Sequence, residues 1–442
     1  MRVTPRAGSG QHAARTASSG RSAFVAAHDP LGWLSTQPSP RFYWRDVSRR
    51  EVWAGAGIAL DVTEDGPDAF RDAVVRVRET LARIEHAPGC TPRFLGGAAF
   101  DSRDASPAWP GFHGARFVLP RVLVRGAEGR CAVTVWGASS EAAAALLERH
   151  RAEFEGAGVQ RPVAARGRRV PDPRERGRWE AGVRAALEEI GRDEVRKVVL
   201  ARRTRVEGAA ALDPLAVVAA LENRVERSAP FLFDFGEGAA FAGASPERLL
   251  RARSGAVESE CIAGTAARGR TVEEDQAQAA AVLGSEKDRR EHDYVVQAVR
   301  EAFERYCRDV QIDAEAALLT LSSVHHLRIT ARGRLRDEGD LAGLLAALHP
   351  TPAVGGTPRE RALEILRRAE GESRGWYAGP VGWIEPAAAE FVVAIRSAVI
   401  EGRSAKAFAG SGIVEGSDPE AEWQETEAKL APMMAALTGE GA

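Results

Sequence analysis

The residue types best suited to acid–base chemistry are a lysine and a glutamate that adjoin apolar, strand-like runs. Lys197 opens the segment KVVLAR, so we expect its side chain to be buried beside valine and leucine. Because burial disfavours a charged amine, such a lysine is a candidate general base toward water. Glu247, in the turn SPER before an apolar strand, is a candidate general acid if apolar surroundings keep it protonated. The ordinary alternatives are a solvated lysine and a surface glutamate paired with Arg248.

Three further glutamates lie on two predicted helices that are far apart in the sequence. Glu291 continues the apolar face of a helix predicted over 286–309, where an unpaired carboxylate would be costly. Glu422 and Glu425 share one face of the last helix with Lys429. Glutamates from two helices could hold a hard divalent cation, which prefers carboxylate oxygens. Ordinary salt bridges would explain the same pattern.

Two glycine-containing segments and one arginine could bind a carboxylate. We expect segments 264–265 (GT) and 410–412 (GSG) to form short turns after strands, with backbone N–H groups and a hydroxyl available to an anion. Arg396 interrupts the apolar run FVVAIRSAVI and could form two parallel hydrogen bonds with a carboxylate, or a buried structural ion pair. Neither a P-loop nor a GxGxxG helix start is present, so the sequence does not support nucleotide binding.

The elements that must position these residues do not follow a regular alternation of strand and helix. Strand-like runs are predicted at 197–206, 230–235, 239–244, 247–252, 256–263, 380–385, 390–400 and 405–409. Helices are predicted at 272–284 and 286–309 and at the C-terminal end. Strands that follow one another through glycine-containing turns are typical of antiparallel pairing. The pattern therefore predicts an α+β fold, with antiparallel sheets covered by helices.

Composition divides the chain into three parts. Residues 1–22 are rich in Gly, Ser, Ala and Arg without apolar periodicity, which predicts a disordered tail. An Arg- and Pro-rich stretch at 161–174 has the composition of a linker. It separates a predicted N-terminal α+β subdomain, 23–170, from a catalytic region, 171–442. Within the subdomain we expect a helix over 67–86 and paired strands at 116–124 and 131–136.

The overall composition makes a small molecule the default binding partner. A net charge of −2 over 442 residues gives no electrostatic reason to bind nucleic acid or an anionic membrane surface. No apolar run approaches the roughly 20 residues that span a bilayer, and the N-terminus lacks a signal-peptide core. Four scattered cysteines lack metal-binding or disulfide spacing. We expect a soluble, cytoplasmic monomer without an obligate protein partner.

The candidate segments, taken in chain order, resemble a known family. KVVLAR, GASPERLL, CIAGT, SEKDRREH, HPTPAVGGTP, GWYAGPVGW, FAGSGIV and EAEWQETEAKL resemble the chorismate-utilising enzymes, most closely the isochorismate synthases. The N-terminal segments HDPLGWLSTQ, RFYWRD, FLGGAAF and WPGFHGARFVLP resemble the menaquinone-pathway type. The resemblance covers nearly the whole chain beyond the tail. It implies the chorismate-binding fold and a magnesium-dependent isochorismate synthase with chorismate as its substrate.

The resemblance also implies a role for each candidate residue. Lys197 would activate the water that enters at C2 of chorismate, and Glu247 would protonate the departing C4 hydroxyl. Glu291 and Glu425, with Glu422 nearby, would hold Mg²⁺ against the ring carboxylate. Substrate positioning is implied for Gly264, Thr265, His326, Tyr377, Arg396, Gly410 and Lys429. Val324 and His325, which precede His326, stand where some relatives carry Leu-Trp. This difference bears on local packing more than on chemistry.

Three positions separate this chain from ammonia-using relatives. Anthranilate and aminodeoxychorismate synthases typically carry glutamine where this chain has Lys197, so the lysine favours water as the nucleophile. Ala263 stands where some aminodeoxychorismate synthases place the lysine of a covalent adduct, and an alanine offers no nucleophile. Residues 290–293 read REHD in place of the Arg-Asn-Asp of anthranilate synthases.

Two alternatives stay open at this point. A salicylate synthase shares Lys197 and the water step, and would continue by eliminating pyruvate. A catalytically silent chorismate-binding or partner subunit is a different class of protein, against which the presence of both Lys197 and Glu247 argues. The sequence does not identify the pathway that the product feeds.

Overall fold

The computed structural model describes residues 19–25, 29–48, 50–87, 89–101, 103, 109–156, 161–162, 166–321, 323–337 and 339–440. Most of the predicted tail, residues 1–18, lies outside this range. The described residues form ten helices and twenty strands.

The helices are α1 Pro30–Ser35, α2 Ala69–Leu81, α3 Ser140–Gly156, α4 Glu175–Gly191, α5 Pro214–Arg224, α6 Val272–Gly284, α7 Glu286–Tyr306, α8 Asp340–Leu348, α9 Arg359–Glu370 and α10 Pro419–Thr438. The strands of the first half are β1 Ser19–Val25, β2 Arg41–Arg45, β3 Glu51–Glu64, β4 Phe94–Ala98, β5 Ala115–Ala127, β6 Arg130–Gly137, β7 Gly167–Arg169, β8 Lys197–Gly208, β9 Ala229–Asp234 and β10 Ala240–Ser245. Those of the second half are β11 Arg248–Arg253, β12 Ala256–Ala267, β13 Cys307–Ile312, β14 Ala317–Thr320, β15 Val324–Leu335, β16 Gly356–Thr357, β17 Pro380–Ile384, β18 Ala388–Val393, β19 Ser397–Glu401 and β20 Ser404–Ile413.

Local sequence signals start the helices that matter most for the site. Ser285 caps α7 by accepting a hydrogen bond from the Asp288 backbone N–H at 3.1 Å. Asp418 caps α10 in the same way, with Pro419 in the first turn. Such caps satisfy N–H groups that the first turn of a helix leaves without partners. Among the described helices, none is both long and apolar enough to cross a membrane.

The strands form two antiparallel limbs that share β5. This long strand pairs with β3 on one edge and with β4 and β6 on the other. The first limb runs β3-β2-β9-β10-β19-β20-β8. The second limb runs β4-β17-β18-β11-β12-β15. Because the pairing is antiparallel and helices cover the sheets, the predicted α+β class is confirmed.

An aromatic core fills the space between the limbs. Trp53 of β3 lies 5.6 Å from Trp383 of β17, and Phe117 of β5 lies 6.0 Å from Phe391 of β18, measured between ring centroids. A second core lies where α1, α3, α5 and α10 pack against β-strands. Burial of this apolar surface is the main favourable term in folding, and it holds the ends of both limbs in fixed positions.

Two boundaries differ from the composition-based expectations. Residues 19–22, assigned to the tail, lie in β1, which pairs antiparallel with β6. Backbone hydrogen bonds to an existing strand order these residues despite their polar composition. The predicted subdomain boundary near residue 170 follows α3, and β2 pairs with β9 and β4 with β17 across it. The two regions therefore share their sheets.

A buried ion pair fastens β8 to the loop that follows α8. Arg374 and Glu370 are both almost fully buried, and Arg374 Nε lies 2.8 Å from Glu370 Oε2. Arg374 donates to the carbonyl oxygens of Val199 at 2.6 Å and Val354 at 2.8 Å. Glu370 accepts from the Ala201 N–H at 2.8 Å. The pair thus fixes the first residues of β8 relative to that loop.

We expect Arg374→Ala to lower the free energy of unfolding by about 3–5 kcal/mol, because it leaves Glu370 charged and uncompensated in the interior. Chemical denaturation followed by circular dichroism measures the change. Arg368→Ala is the matched control: Arg368 is 62% exposed and pairs with Glu189 at 3.2 Å, so a change below ~1 kcal/mol is expected. Equal denaturation midpoints for the two variants would contradict this role.

Candidate active site

The candidate residues meet where the ends of the two limbs face α7 and α10. One cavity there is lined by Glu247, Thr265, Glu291, His326, Tyr377, Arg396, Gly410 and Lys429. Its apolar lining includes Val199, Ile262, Ala353, Val354, Ile395 and Phe408. Lys197, Gly264 and Glu425 contact the lining residues Glu291, His326 and Lys429, and Glu422 joins the site through Ser411, which also contacts Glu425. Residues from distant parts of the chain, predicted separately, are thus brought together.

Lys197 is fully buried at the start of β8, as its apolar neighbours predict. Its Nζ atom lies 2.9 Å from Glu291 Oε1 on α7. The contact is an ion pair rather than a directed hydrogen bond, since no described residue accepts from Nζ in suitable geometry. A Cβ atom at Gly412 would lie 2.6 Å from Glu291 Oε1 and 3.0 Å from Lys197 Cε. Glycine at this position therefore makes room for the ion pair.

Glu247 occupies the predicted turn, between β10 and β11. The Ser245 hydroxyl oxygen accepts from the Glu247 N–H at 3.2 Å, which fixes the turn. Burial raises the pKa of the Glu247 carboxyl to about 7, although Lys197 and Lys429 oppose the shift. No described residue donates a hydrogen bond to this carboxyl group. Near neutral pH it can therefore carry and donate a proton.

Glu422 and Glu425 of α10 converge on Ser411 of β20. The Ser411 Oγ atom lies 2.6 Å from Glu422 Oε2 and 2.7 Å from Glu425 Oε1. A hydroxyl has a single proton, so it can donate to only one carboxylate at a time. Lys287 Nζ lies 2.9 Å from Glu422 Oε1, and Lys429 Nζ lies 2.6 Å from Glu425 Oε1. Two carboxylates that share one hydroxyl proton would gain from a further cation.

The glutamates fit a hard divalent cation in their chemistry. Carboxylate oxygens are the ligands that Mg²⁺ prefers, and Glu291, Glu422 and Glu425 supply them from two helices. Each of the three faces a lysine ammonium instead. Over the part of the chain that the structure describes, no three His, Cys, Asp or Glu side chains lie close enough together to hold a metal ion. To bind one metal ion, the three glutamates would therefore have to leave their ion pairs with the lysines and move closer together.

Arg396 offers an unused donor to the cavity. Its Nη1 atom donates to the Lys429 carbonyl oxygen at 3.0 Å, whereas its buried Nη2 atom has no acceptor among the described residues. Burial lowers the pKa of Arg396 to about 10, which leaves the group cationic at neutral pH. A buried N–H without a partner is costly, so an anion bound here would satisfy it. Burial also raises the pKa of Tyr377 to about 12, which keeps its hydroxyl a donor.

His326 of β15 is buried and neutral. Burial lowers its pKa to about 3, and the positive charges of Lys429 and Arg396 add to the effect. The His326 Nδ1 atom lies 3.0 Å from the Gly264 carbonyl oxygen and 3.1 Å from Thr265 Oγ1. Because a carbonyl oxygen only accepts, this contact assigns the proton to Nδ1 and leaves Nε2 as an acceptor.

Three backbone expectations at the site are wrong. Gly264 and Thr265 do not form a turn, because they lie at a bulge within β12 where the register to β15 shifts. Gly410 lies inside β20, paired with Ala201 of β8. Arg396, predicted within one strand over 390–400, instead lies in the break between β18 and β19 with φ 53°. A left-handed residue cannot continue a strand, and this break turns the guanidinium toward the cavity.

Comparison with known proteins identifies the family. Residues 11–438 match the family model described as chorismate binding enzyme. The chain belongs to the chorismate-binding enzymes. This confirms the resemblance drawn from the ordered segments.

Similar chorismate-binding enzymes match almost end to end. Isochorismate synthase MenF of Bacillus subtilis is 34% identical over 444 residues, covering 94% of this chain and 92% of that protein. The salicylate biosynthesis isochorismate synthase of Pseudomonas aeruginosa is 35% identical over 434 residues, covering 93% and 88%. The solved structure of MenF, the menaquinone-specific isochorismate synthase from Escherichia coli, superposes with a TM-score of 0.80 at 29% identity, covering 95% and 94%.

Lys287 enters the site of this chorismate-binding enzyme without a role in the sequence analysis, and Ser411, whose hydroxyl the sequence makes available to an anion, has carboxylates as its partners. Ser411 contacts Glu422 and Glu425, two of the glutamates of α10, and its sequence signal is a polar residue between two glycines of a strand. Lys287 contacts Glu422, and its signal is a position one helical turn before Glu291. Both signals are weak until the strand and the helices are placed next to each other.

The raised pKa of Glu247 makes stability depend on pH. The carboxyl titrates at about 7 when folded and at its ordinary value of 4.5 when unfolded. Between these values the folded protein holds a proton that the unfolded chain has released, so the associated stability is complete below pH 4.5 and is lost as the pH rises through 7. We expect Glu247→Gln, which cannot ionise, to gain about 3 kcal/mol relative to the unsubstituted protein over this range.

Urea denaturation of both proteins at steps from about pH 5 to pH 8 measures this difference. The difference in unfolding free energy should grow with pH across the range. A difference that does not change with pH would show that Glu247 is ionised throughout.

Proposed function

We propose that this chorismate-binding enzyme is an isochorismate synthase. It would add water at C2 of chorismate and release the C4 hydroxyl, with a shift of the ring double bonds. The observation that supports this reaction best is one cavity lined by Glu247, whose buried carboxyl has its pKa raised to about 7, and by Glu291, which pairs with the buried Lys197 at 2.9 Å. Isochorismate synthases from two bacteria are its relatives over almost the whole chain.

The two buried groups supply the base and the acid. When Lys197 is released from its contact with Glu291, its ammonium gives a proton to solvent; the resulting amine then takes a proton from the water whose oxygen bonds to C2. The protonated Glu247 donates to the C4 oxygen, which leaves as water. One water is consumed and one is released, so the net reaction is an isomerisation. Proton return from Lys197 to Glu247 through solvent restores the starting state.

The positioning residues fit a substrate that carries two carboxylates. Arg396 provides a cationic donor without a partner and Tyr377 a hydroxyl that stays protonated, both suited to one carboxylate. Thr265, from the bulge in β12, adds a hydroxyl next to His326. A neutral His326 adds no positive charge, and its Nε2 can accept from a substrate hydroxyl. Water exclusion follows from the apolar lining of the cavity.

Magnesium is the cofactor that we propose, with Glu291, Glu422 and Glu425 as its protein ligands. When bound, it would offset the charge of these carboxylates and attract the ring carboxylate of the substrate. The shared hydroxyl of Ser411 supports this assignment, because it brings two of the three carboxylates to one oxygen.

The assay that tests the proposal is incubation of the purified protein with chorismate and Mg²⁺, with and without EDTA, followed by chromatography of the products. We expect isochorismate, formed only when metal is present. Formation of salicylate with pyruvate would place the protein among the salicylate synthases. Unchanged chorismate would contradict the proposal and indicate a silent or partner-dependent subunit.

Two variants test the assigned roles within this assay, and a third variant is the control. Lys197→Ala and Glu247→Gln should each lower kcat/KM by ~10²- to 10⁴-fold, the usual contribution of a general acid or base. Lys406→Ala, which removes the lysine of β20 that lies outside the cavity lining, should leave kcat/KM unchanged. Near-normal turnover by either of the first two variants, with unchanged circular dichroism, would reject the role assigned to that residue.

Arg396 should contribute mainly to substrate binding. We expect Arg396→Lys to raise KM for chorismate roughly 10- to 100-fold with a smaller change in kcat, since lysine cannot supply the second N–H of a fork. Steady-state kinetics measures both constants. Arg403→Lys, in the β19–β20 turn where the arginine donates to the Gly208 carbonyl oxygen, should leave both unchanged. A loss confined to kcat would argue against carboxylate binding by Arg396.

A further inference from the structure

Lysine is rare in this chain and is concentrated at the site. Among 60 basic residues only four are lysines: Lys197, Lys287, Lys406 and Lys429. Three of the four contact the three glutamates proposed as metal ligands. Every other ion pair recorded for the described residues uses arginine or histidine as the cation. The proposed reaction uses Lys197 as the base, and the family resemblance implies substrate positioning by Lys429, but neither gives a role to Lys287.

Lys287 lies at the boundary between two cavities. It precedes Glu291 by one turn on α7, so the two side chains share a face of the helix. Glu291 lines the active-site cavity, whereas Lys287 lines a second cavity together with Arg290 and Glu415. The Lys287 side chain is 43% exposed and its partner Glu422 only 4%. The Glu422 carboxylate is therefore held in place, whereas the Lys287 ammonium has open space to move into.

A lysine at this position makes a pair that can be exchanged. An arginine would form two parallel hydrogen bonds with the Glu422 carboxylate, whereas an ammonium on a flexible stem makes a single contact at 2.9 Å. Glu422 needs a counter-charge because an unpaired carboxylate is costly when buried. A cation that can leave satisfies this need without blocking the ligand.

We propose that Lys287 is a displaceable counter-ion for the metal ligand Glu422. Its ammonium neutralises Glu422 when no divalent cation is bound, and turns into the second cavity when one binds. Lys287 then competes with the metal and sets its affinity below the maximum that the three glutamates could reach. This inference rests on the magnesium site of the proposed function.

Calorimetric titration of the metal-free protein with MgCl₂ tests the competition directly. Lys287→Met removes the competitor, so we expect Kd to fall about tenfold. Lys287→Arg strengthens the competitor, so Kd should rise about tenfold. If Lys287 had a purely structural role, the two substitutions would not shift the Kd for Mg²⁺ in opposite directions.

Arg290→Met is the matched control, because Arg290 lines the same cavity but, among the described residues, forms an ion pair only with exposed Glu415, at 3.6 Å. The Kd of this variant for Mg²⁺ should not change.

A second measurement uses the unsubstituted protein and does not depend on how the variants fold. Acetylation of the four lysines, read by mass spectrometry with and without Mg²⁺, should show increased labelling of Lys287 when the ion is present. Lys406 serves as the internal reference, since it contacts none of the glutamates, and its labelling should stay constant.

The outcomes separate this inference from the metal site on which it rests. Suppose that the unsubstituted protein binds magnesium. If Lys287→Met then binds Mg²⁺ no more tightly, or if the acetylation of Lys287 is the same with and without Mg²⁺, the role of Lys287 alone is overturned. If the unsubstituted protein binds no magnesium at all, the metal site itself is rejected, and with it the cofactor of the proposed function.

Discussion

The buried ion pair between Lys197 and Glu291 is the interaction on which the geometry of the site depends. Neither charge can stay in the interior without the other, so β8 and α7 must approach until the side chains meet. Glycines on the neighbouring segments allow this approach. A side chain at Gly412 would collide with Glu291, and one at Gly356 would collide with the Lys197 carbonyl oxygen. The charge pair therefore requires glycine at position 412, and the close pairing of β16 with β8 requires it at position 356.

The pKa values of two carboxyl groups at the site, Glu247 and Glu425, shift in opposite directions. Glu247 has no hydrogen-bond donor among the described residues, and burial therefore dominates and raises its pKa to about 7. Glu425 is only half-buried, and Lys429 and Ser411 outweigh the loss of solvent and hold its pKa below the ordinary value. Residue type alone does not decide whether a glutamate is suited to be a general acid or a metal ligand. The hydrogen-bond donors and cations within its reach decide this.

The sequence predicts what is local and misses what depends on contacts between distant segments. The burial of Lys197 and the turn at Glu247 follow from neighbouring residues, and the structure has both. The division of the sheet into two limbs at β5, and the pairing of β1 with β6, depend on partners far away in the chain. The bulge at Gly264 and the break at Arg396 are likewise absent from any period-2 pattern, because tertiary contacts impose them.

The choice between arginine and lysine divides the buried ion pairs into two kinds. Arg374 holds Glu370 and two backbone carbonyl oxygens at once, so its removal would disturb several segments together. The lysines at the glutamates carry only one or two contacts each, and every contact can be exchanged for another cation. This protein uses arginine for almost all of its positive charge and places three of its four lysines at the glutamates proposed as metal ligands. Rigidity around the cavity and exchangeable charge within it are then separate properties, supplied by different side chains.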